Sequence, residues 1–215
     1  IYKIDMKRIY VLSVWVCLLL GMSSCTKDNF AYSGISKARF DGNMLEHMDS
    51  HPYDWNFTAA MIRHAGEDMV KLFEGNDENH KEITFFGITN HSIRRYLLEN
   101  GLEKVTELDA DWCRSILLQH IVDGKLYRKA IPAGKSADYG SVGTGGEIYN
   151  TLAGTEVREY VFVEEKDGVV QNAARPIYIN FLKSGNLYQV ISGDIEPDDC
   201  LVHALDYRFT LGEEE

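Results

Sequence analysis

The sequence predicts an α+β domain on two observations. Between residues 53 and 124, apolar residues recur at helical spacing in several segments, whereas the segments after residue 155 are short, β-prone and separated by turn residues. Helices early in a chain and an antiparallel sheet late are typical of the α+β class. With 215 residues, of which 45% are hydrophobic, the chain is long enough for one such domain beside shorter targeting and linker segments.

Residues 1–24 have the layout of a secretory signal peptide, and Met6 is its natural start. The basic stretch Met6-Lys7-Arg8 precedes an apolar run from Ile9 to Met22, and two small residues then lead to Cys25. The run is shorter than the roughly 20 apolar residues of a transmembrane helix, so we expect cleavage rather than a spanning anchor.

The stretch LLLGMSSC, residues 18–25, resembles a bacterial lipobox, in which the cysteine is acylated and becomes the mature N-terminus. The resemblance implies lipidation of Cys25 and attachment to a membrane through the N-terminal lipid, with cleavage and release as the alternative. Thr26-Lys27-Asp28-Asn29 resembles the acidic export tag of surface lipoproteins in the Bacteroidetes. We therefore expect a cell-envelope location, as an outer-membrane lipoprotein displayed at the surface.

Residues 25–52 lack clear periodicity and are rich in Ser, Asp, Gly and Asn, which predicts a tether with one short turn of structure. His47 and His51, with Glu46 and Asp49 nearby, have the residue types of a metal site. A closed site needs three or four ligands that converge on one point. We therefore interpret these residues as exposed linker histidines and expect no metal.

The predicted domain spans residues 53–212 and begins with two amphipathic helices. Asp54 is a good N-cap, the break between the helices falls at Ala65-Gly66, and Gly75 ends the pair. The β-prone run Ile83–Ile88 then predicts a buried strand.

Two further helices are predicted after this strand. The first covers His91–Glu99 and ends at a glycine stop, and the second starts at Asp109 or Asp111 and ends before Gly124.

The character of the chain changes after Gly124. Residues 134–146 are rich in glycine and predict a long flexible loop. Strands separated by turn signals follow, namely Glu156–Glu164, Ile177–Leu182, Leu187–Ile191 and Leu201–Phe209.

The net charge argues against nucleic-acid binding, and the position of the glycines argues against nucleotide binding. The formal net charge is −11, and a phosphate backbone needs a basic footprint, so we expect no nucleic-acid partner. A phosphate-binding loop needs glycines between a strand and a helix N-terminus, whereas Gly143-Thr144-Gly145-Gly146 leads into strand-like sequence. We therefore expect no nucleotide and no other cofactor.

Three segments, in family order, resemble fasciclin (FAS1) domains. Residues 83–90, ITFFGITN, resemble the strand and PTN-type turn of these domains, and residues 116–126, ILLQHIVDGKL, resemble their LLxYHVVxGKL helix and strand. Residues 191–206 resemble the closing ADI…GVIHVID segment. The chain departs from the family pattern where Ile88 replaces a proline, Gln119 an aromatic residue and Cys200 a glycine.

The resemblance implies a wedge of antiparallel β-sandwich or sheets with helices packed along one side. It also implies a non-catalytic adhesion or binding module for a glycan, an envelope protein or a matrix ligand. In the family, residues matching Asn90 and His120 hold the core through polar contacts, and Asp206 is expected to join them from the last strand. A buried polar side chain costs about 1–3 kcal/mol unless it is paired, which favours the same structural roles.

The stretch DCLVHALD, residues 199–206, raises the alternative of a periplasmic or surface hydrolase that uses Cys200 or a carboxylate pair. Cys200, His203 and Asp206 are the residue types of a nucleophile, a base and an acid. Side chains alternate along a strand, however, so His203 is predicted to face away from the other two. We predict a core strand and no catalytic residue. Whether Cys113 and Cys200 form a disulfide stays open without a distance between them.

Exposed aromatic residues would favour glycan binding, since sugar rings pack on flat apolar faces. Four tyrosines in or beside the glycine-rich segment are the candidates, namely Tyr127, Tyr139, Tyr149 and Tyr160. Aromatic residues on strands are more often core, which is the alternative for this set. Glu196-Pro197-Asp198 resembles a receptor-binding motif of some animal FAS1 proteins, but its place in the segment differs, and we interpret it as an acidic turn.

Overall fold

The computed structural model describes residues 38–135, 143–170 and 174–214. The predicted signal peptide, Cys25 and Tyr139 lie outside these residues. The described α-helices are α1 Met44–Ser50, α2 Pro52–His64, α3 Glu67–Phe73, α4 Asn90–Glu99 and α5 Ala110–Gln119. Within the described ranges, no helix has the length and apolar character needed to cross a membrane.

Helix α1 lies inside the predicted tether, so the prediction of a tether over residues 25–52 is wrong from residue 38 onward. The compact unit starts at Ala38 rather than at residue 53. Asn43 and Glu46 cap the helix reciprocally, which satisfies backbone donors at its first turn. The Met44 N–H also donates to Asp199 Oδ1 at 3.0 Å, which ties the helix to a distant part of the chain. The apolar residues that the helix buries are Met44, Leu45 and Met48.

His47 differs from the prediction of exposed linker histidines, whereas His51, the residue after α1, is exposed as predicted. His47 is buried, and its ring stacks on that of His51 with centroids 4.4 Å apart. Burial, followed by the neighbouring His51, lowers the pKa of His47 to about 4. No three His, Cys, Asp or Glu side chains converge as a metal site anywhere in the described ranges.

Helices α2 and α3 confirm the predicted pair and its break, but the predicted N-cap is wrong, because α2 starts at Pro52 after His51 and Asp54 lies inside its first turn. Gly66 has a φ of 121°, which favours glycine, and the chain turns there between the two helices. Helix α2 contacts each of the other four described helices, so it is the centre of the helical layer. Its Trp55 packs on Gly87 of the sheet, where an added Cβ would lie 2.6 Å from the indole ring.

The two later helices are confirmed as well. Helix α4 covers Asn90–Glu99, and α5 begins after Asp109, whose Oδ1 accepts the Trp112 N–H at 2.8 Å as an N-cap. Short 3-10 turns at Val105–Glu107 and Arg128–Ala130 lie in the connections.

The strands confirm the α+β class. They are β1 Ile83–Gly87, β2 Ile121–Asp123, β3 Ala133–Lys135, β4 Thr144–Gly145, β5 Glu147–Asn150, β6 Glu156–Phe162, β7 Glu165–Lys166, β8 Val169–Val170, β9 Ile177–Phe181, β10 Leu187–Ile195 and β11 Cys200–Leu205. One sheet has the order β2-β1-β11-β10-β9-β6-β3-β4 with β5 on β6, and β7 and β8 form a separate ribbon. Most pairings are antiparallel, as predicted, but β1 with β11 and β3 with β6 are parallel.

The sheet curls at β10, which pairs with β9 through its first half and with β11 through its second half. Its register shifts between Val190 and Ser192 and again between Ser192 and Ile195, and such bulges increase the local twist. As a result β6 faces β11, although β10 and β9 lie between them in the sheet. His203 Nε2 lies 3.7 Å from Glu159 Oε1 across this interior.

The glycine-rich segment is more than the predicted flexible loop, because its described ends pack around Tyr160. Residues 134–135 and 144–145 pair as β3 and β4. An added Cβ would lie 2.5 Å from the Tyr160 ring at Gly134 and 2.4 Å from it at Gly143. These glycines are therefore explained by the close approach of the backbone to a buried aromatic ring.

Candidate functional site

Cys200, the candidate nucleophile, is fully buried in β11. Burial, followed by the neighbouring Asp199, raises the pKa of its thiol well above the ordinary value. Since the thiolate is the nucleophilic form, Cys200 is not placed to act as one at neutral pH. Cys113 is buried too, and both residues are free thiols rather than a disulfide pair.

His203, the candidate base, is held inside the curled sheet by backbone groups. Its Nε2–H donates to the Leu126 carbonyl oxygen at 2.9 Å, and the Asp194 N–H donates to Nδ1 at 3.4 Å. This pair of bonds fits a neutral ring that carries its proton on Nε2. Burial disfavours the charged ring and lowers the pKa of His203. Both ring nitrogens are therefore used by the fold, and neither is bonded to Cys200.

Glu159 faces His203 from β6 and was missed by the sequence analysis. Both of its carboxyl oxygens are buried without a hydrogen-bond partner. Burial, with a smaller contribution from Asp194, raises the pKa of Glu159 to about 8. The 3.7 Å contact with His203 is therefore a contact between two neutral groups at pH 7 and not an ion pair. The only sequence signal is alternation in β6, which places Glu159 on the same face as the buried Val157.

Asp206 lies one residue beyond β11, so the predicted strand end at Phe209 is wrong. The Phe209 N–H donates to the Asp206 carbonyl oxygen at 3.2 Å and closes a turn. The Asp206 carboxylate accepts the Arg208 N–H at 3.1 Å and the Arg208 Nε–H at 2.6 Å. Burial raises the pKa of Asp206, whereas the bonds from the turn lower it. The side chain thus shapes a turn that leaves Tyr207 exposed.

Asn90 joins two helices through its side-chain amide. Its Oδ1 accepts the Phe57 N–H at 2.9 Å, while Nδ2 donates to the carbonyl oxygens of Pro52 at 3.0 Å and Tyr53 at 2.7 Å. The side chain of the first residue of α4 therefore satisfies three backbone groups in the first turns of α2.

His120 is fully buried directly after α5. Its Nδ1–H donates to the Phe86 carbonyl oxygen at 2.8 Å, which links α5 to β1. Its ring packs against Phe181 and Phe209, with centroid distances of 4.8 and 4.9 Å. The other ring nitrogen lies 3.9 Å from Glu214 Oε2, which is also buried.

The described ligand-binding tyrosine candidates do not form one exposed surface. Tyr160 is fully buried between the glycines and Tyr178, so its prediction as a ligand contact is wrong. Tyr149 is half-buried against the core, and burial raises its pKa. Tyr127 is half-buried as well, and its hydroxyl donates to Glu196 Oε1 at 2.8 Å.

The acidic turn at Glu196-Pro197-Asp198 holds neighbouring segments together. Arg39 lies 3.3 Å from the Glu196 carboxylate and 2.6 Å from that of Asp198. Lys125 Nζ donates to the carbonyl oxygens of Pro197 at 3.2 Å and Asp198 at 2.9 Å. The carboxylates and two carbonyl oxygens of this turn therefore already contact basic side chains of the same chain.

Exposed apolar and charged side chains lie together along α4. A surface cavity of about 590 Å³, here called the α4 groove, is lined by His91, Arg94, Arg95, Leu98, Glu99 and Tyr207. Leu98 and Tyr207 are 72% and 64% exposed, although both are large apolar side chains. His91 and Arg94 also line an adjoining depression of about 140 Å³ beside Tyr53, which is 84% exposed.

Arg95 holds one wall of the α4 groove. Its guanidinium donates to the Tyr207 carbonyl oxygen, to that of Arg208 at 3.2 Å and to Thr210 Oγ1 at 3.0 Å. The turn that carries Tyr207 is therefore fastened to α4. His91, Arg94 and Leu98 have the spacing of one helical face, and this spacing is the only signal of the α4 groove in the sequence.

No family model and no curated protein matches the sequence. Fourteen chains of solved structures match the fold. The chain is similar to a FAS1 domain pair. That structure is of the insect cell adhesion molecule fasciclin I, with 17% sequence identity and a TM-score of 0.45. The match covers 79% of this chain and 45% of that one, so the chain spans less than half of the FAS1 pair.

Proposed function

We propose that the chain is a lipid-anchored surface protein whose α+β domain is a non-catalytic adhesion or binding module. The observation that carries the proposal is the division of side chains between interior and surface. Cys200, His203 and Glu159 are buried and used by the fold, whereas large apolar and cationic side chains are exposed together at the α4 groove. Exposed apolar surface that adjoins polar groups is typical of a ligand-binding site.

The resemblance of three sequence segments to FAS1 domains favours an adhesive role over a catalytic one. The alternative is a hydrolase that uses Cys200 or a carboxylate pair. A covalent mechanism would need the thiolate of Cys200 within hydrogen-bond reach of a base and open to substrate. Burial of Cys200 and the engagement of His203 with backbone groups argue against that arrangement.

A glycan array probed with the purified full chain tests the binding function. We expect binding to be lost when Leu98→Ala and Tyr207→Ala are combined, because the exposed apolar side chains of the α4 groove are then removed. Ile191→Ala is the matched control, since Ile191 is also an exposed apolar residue, at 59%, but lies on β10. Cys200→Ser should leave binding intact.

Two results would contradict this proposal. The first is glycan or protein binding that is equally strong in the double variant and in the parent chain. The second is release of a hydrolysis product from a bound ligand that stops with Cys200→Ser, which would favour the hydrolase.

The anchoring part of the proposal rests on the lipobox-like stretch before Cys25. Cells that express the full chain and are fed an alkyne-tagged fatty acid should incorporate the label. Cys25→Ser should abolish incorporation and release the protein from the membrane fraction, whereas labelling that persists in this variant would contradict anchoring at Cys25.

A further inference from the structure

We infer that the α4 groove takes an anionic saccharide, a uronic-acid glycan whose carboxylates bind at Arg94 and His91 while a sugar ring packs on Tyr207 and Leu98. This inference rests on the proposed function and adds the chemical class of the ligand to it.

Arg94 carries a charge that no carboxylate of its own chain contacts. Three other arginines with accessible side chains contact carboxylates, and exposed Arg128 donates to a carbonyl oxygen; the three are Arg39, Arg63 and Arg114. Within the described ranges, neither Arg94 nor His91 has a carboxylate or another acceptor within bonding distance. Arg94 lies over the Phe57 ring, 5.6 Å from its centroid, so the edge of the guanidinium is left for a ligand.

The α4 groove is less acidic than the chain that contains it. The chain has a net charge of −11, whereas the α4 groove combines two cations, Arg94 and Arg95, and the imidazole of His91 with a single lining acid, Glu99. Arg95 donates to carbonyl and hydroxyl oxygens of the wall, and its charge acts on the carboxylate of Asp206, so Arg94 is the cation left for a ligand. A carboxylate ligand fits this groove electrostatically, at the end occupied by Arg94 and His91.

The shape and apolar character of the α4 groove suit a saccharide. Its volume of about 590 Å³ suits a small ligand, and Tyr207 offers an aromatic side chain on a turn whose backbone Arg95 holds. Beyond the cationic residues, the adjoining depression offers a second exposed aromatic residue, Tyr53. Tyr207 and Tyr53 therefore lie on either side of Arg94. In a uronic-acid glycan each sugar ring carries a carboxylate, so neighbouring rings pack on the two tyrosines while a carboxylate binds Arg94. An acidic peptide has no such rings, which favours the glycan.

Titration of the purified full chain with oligogalacturonate tests the inference, and its fully methyl-esterified form is a neutral probe with the same rings. We expect oligogalacturonate to bind and the ester to bind roughly tenfold more weakly, since the ester cannot form charge-assisted hydrogen bonds with Arg94. Arg94→Gln and Tyr207→Ala should each weaken oligogalacturonate binding by a similar factor. Lys71→Gln makes the same change of charge at an exposed residue of α3 and should have no effect.

Three outcomes would overturn the inference. Equal binding of the ester and the acid would show a groove for neutral saccharides, and the proposed function would stand. Polyglutamate that binds as tightly as oligogalacturonate of equal charge would show a site for acidic peptides. If neither saccharide binds in a way that depends on Arg94 or Tyr207, the inference fails, and the glycan array then decides separately whether the proposed function fails with it.

Discussion

Replacing Glu159 with glutamine should remove a pH dependence of stability. The carboxyl has an ordinary pKa of 4.5 and a pKa of about 8 in the folded protein, because it is buried without a hydrogen-bond partner. Between these values the folded protein keeps a proton that the unfolded chain releases. The free energy of unfolding therefore falls as pH rises from 4.5 to 8, by up to about 1.4 kcal/mol per pH unit. Glu159→Gln keeps the shape of the neutral side chain and cannot ionise.

Other buried titratable groups also change the free energy of unfolding with pH, so the contribution of Glu159 is best measured above pH 6.5. His203 and His47 have lowered pKa values, so their contribution to stability rises with pH up to their ordinary value of 6.5. Asp199 has a pKa raised to about 6 and acts in the same direction as Glu159 below that pH. Above pH 6.5 the two histidines change the stability by only about 0.4 kcal/mol each, and this change occurs in both the parent and Glu159→Gln. From pH 6.5 to 8, the free energy of unfolding of the parent should fall by roughly 2 kcal/mol relative to that of Glu159→Gln.

Urea unfolding of the full chain at pH 6.5, 7.2 and 8 measures this difference. The control is Glu156→Gln, which changes an exposed acid on the same strand and should follow the parent at each pH. The decisive quantity is the slope of unfolding free energy with pH, so an overall cost of burying the glutamine amide does not affect the test. Parallel slopes for the parent and Glu159→Gln between pH 6.5 and 8 would refute the reasoning.

Two predictions concern residues that hold the fold. Asn90→Ala should lower the free energy of unfolding by about 2–4 kcal/mol, because three backbone groups of α2 lose their partner. Asn100→Ala, at an exposed helix end, should cost far less in the same urea titration, and equal costs would contradict the bridging role of Asn90. Gly134→Ala should cost about 1–3 kcal/mol through its clash with the Tyr160 ring. In a double-mutant cycle with Tyr160→Leu the cost should shrink, and strict additivity would contradict the clash.

The parts of the fold that sequence predicts well are those set by local patterns. Helix α5 follows from an N-cap and an apolar stripe, and β6 and β9 follow from short β-prone runs between turns. Helix α1 was missed because its burial depends on a tertiary contact, the bond from Met44 to Asp199. The parallel pairing of β1 with β11 was missed for the same reason, since nothing within either strand specifies its neighbour.

The candidate site also has features that local sequence patterns predict and features that depend on tertiary contacts. The alternation of side chains in a strand was enough to weaken a catalytic interpretation of Cys200 and His203. The tyrosine candidates were chosen by their position beside a glycine-rich segment, and the one with the closest glycine neighbours, Tyr160, proved to be buried. The α4 groove depends on Arg95, which binds carbonyl oxygens of a turn far along the chain. Such a contact leaves no local pattern in the sequence.

The stretch DCLVHALD links the core of the sheet to the α4 groove. All six residues of β11 are buried, which fixes the strand against β1 and β10 on either side. Asp206 then closes a turn through Arg208, and Arg95 fastens that turn to α4. Tyr207, the next residue, is exposed in the α4 groove because both constraints act on its neighbours. The core strand thus ends in a wall of the proposed binding site, so a change at Asp206 should weaken ligand binding through the position of Tyr207.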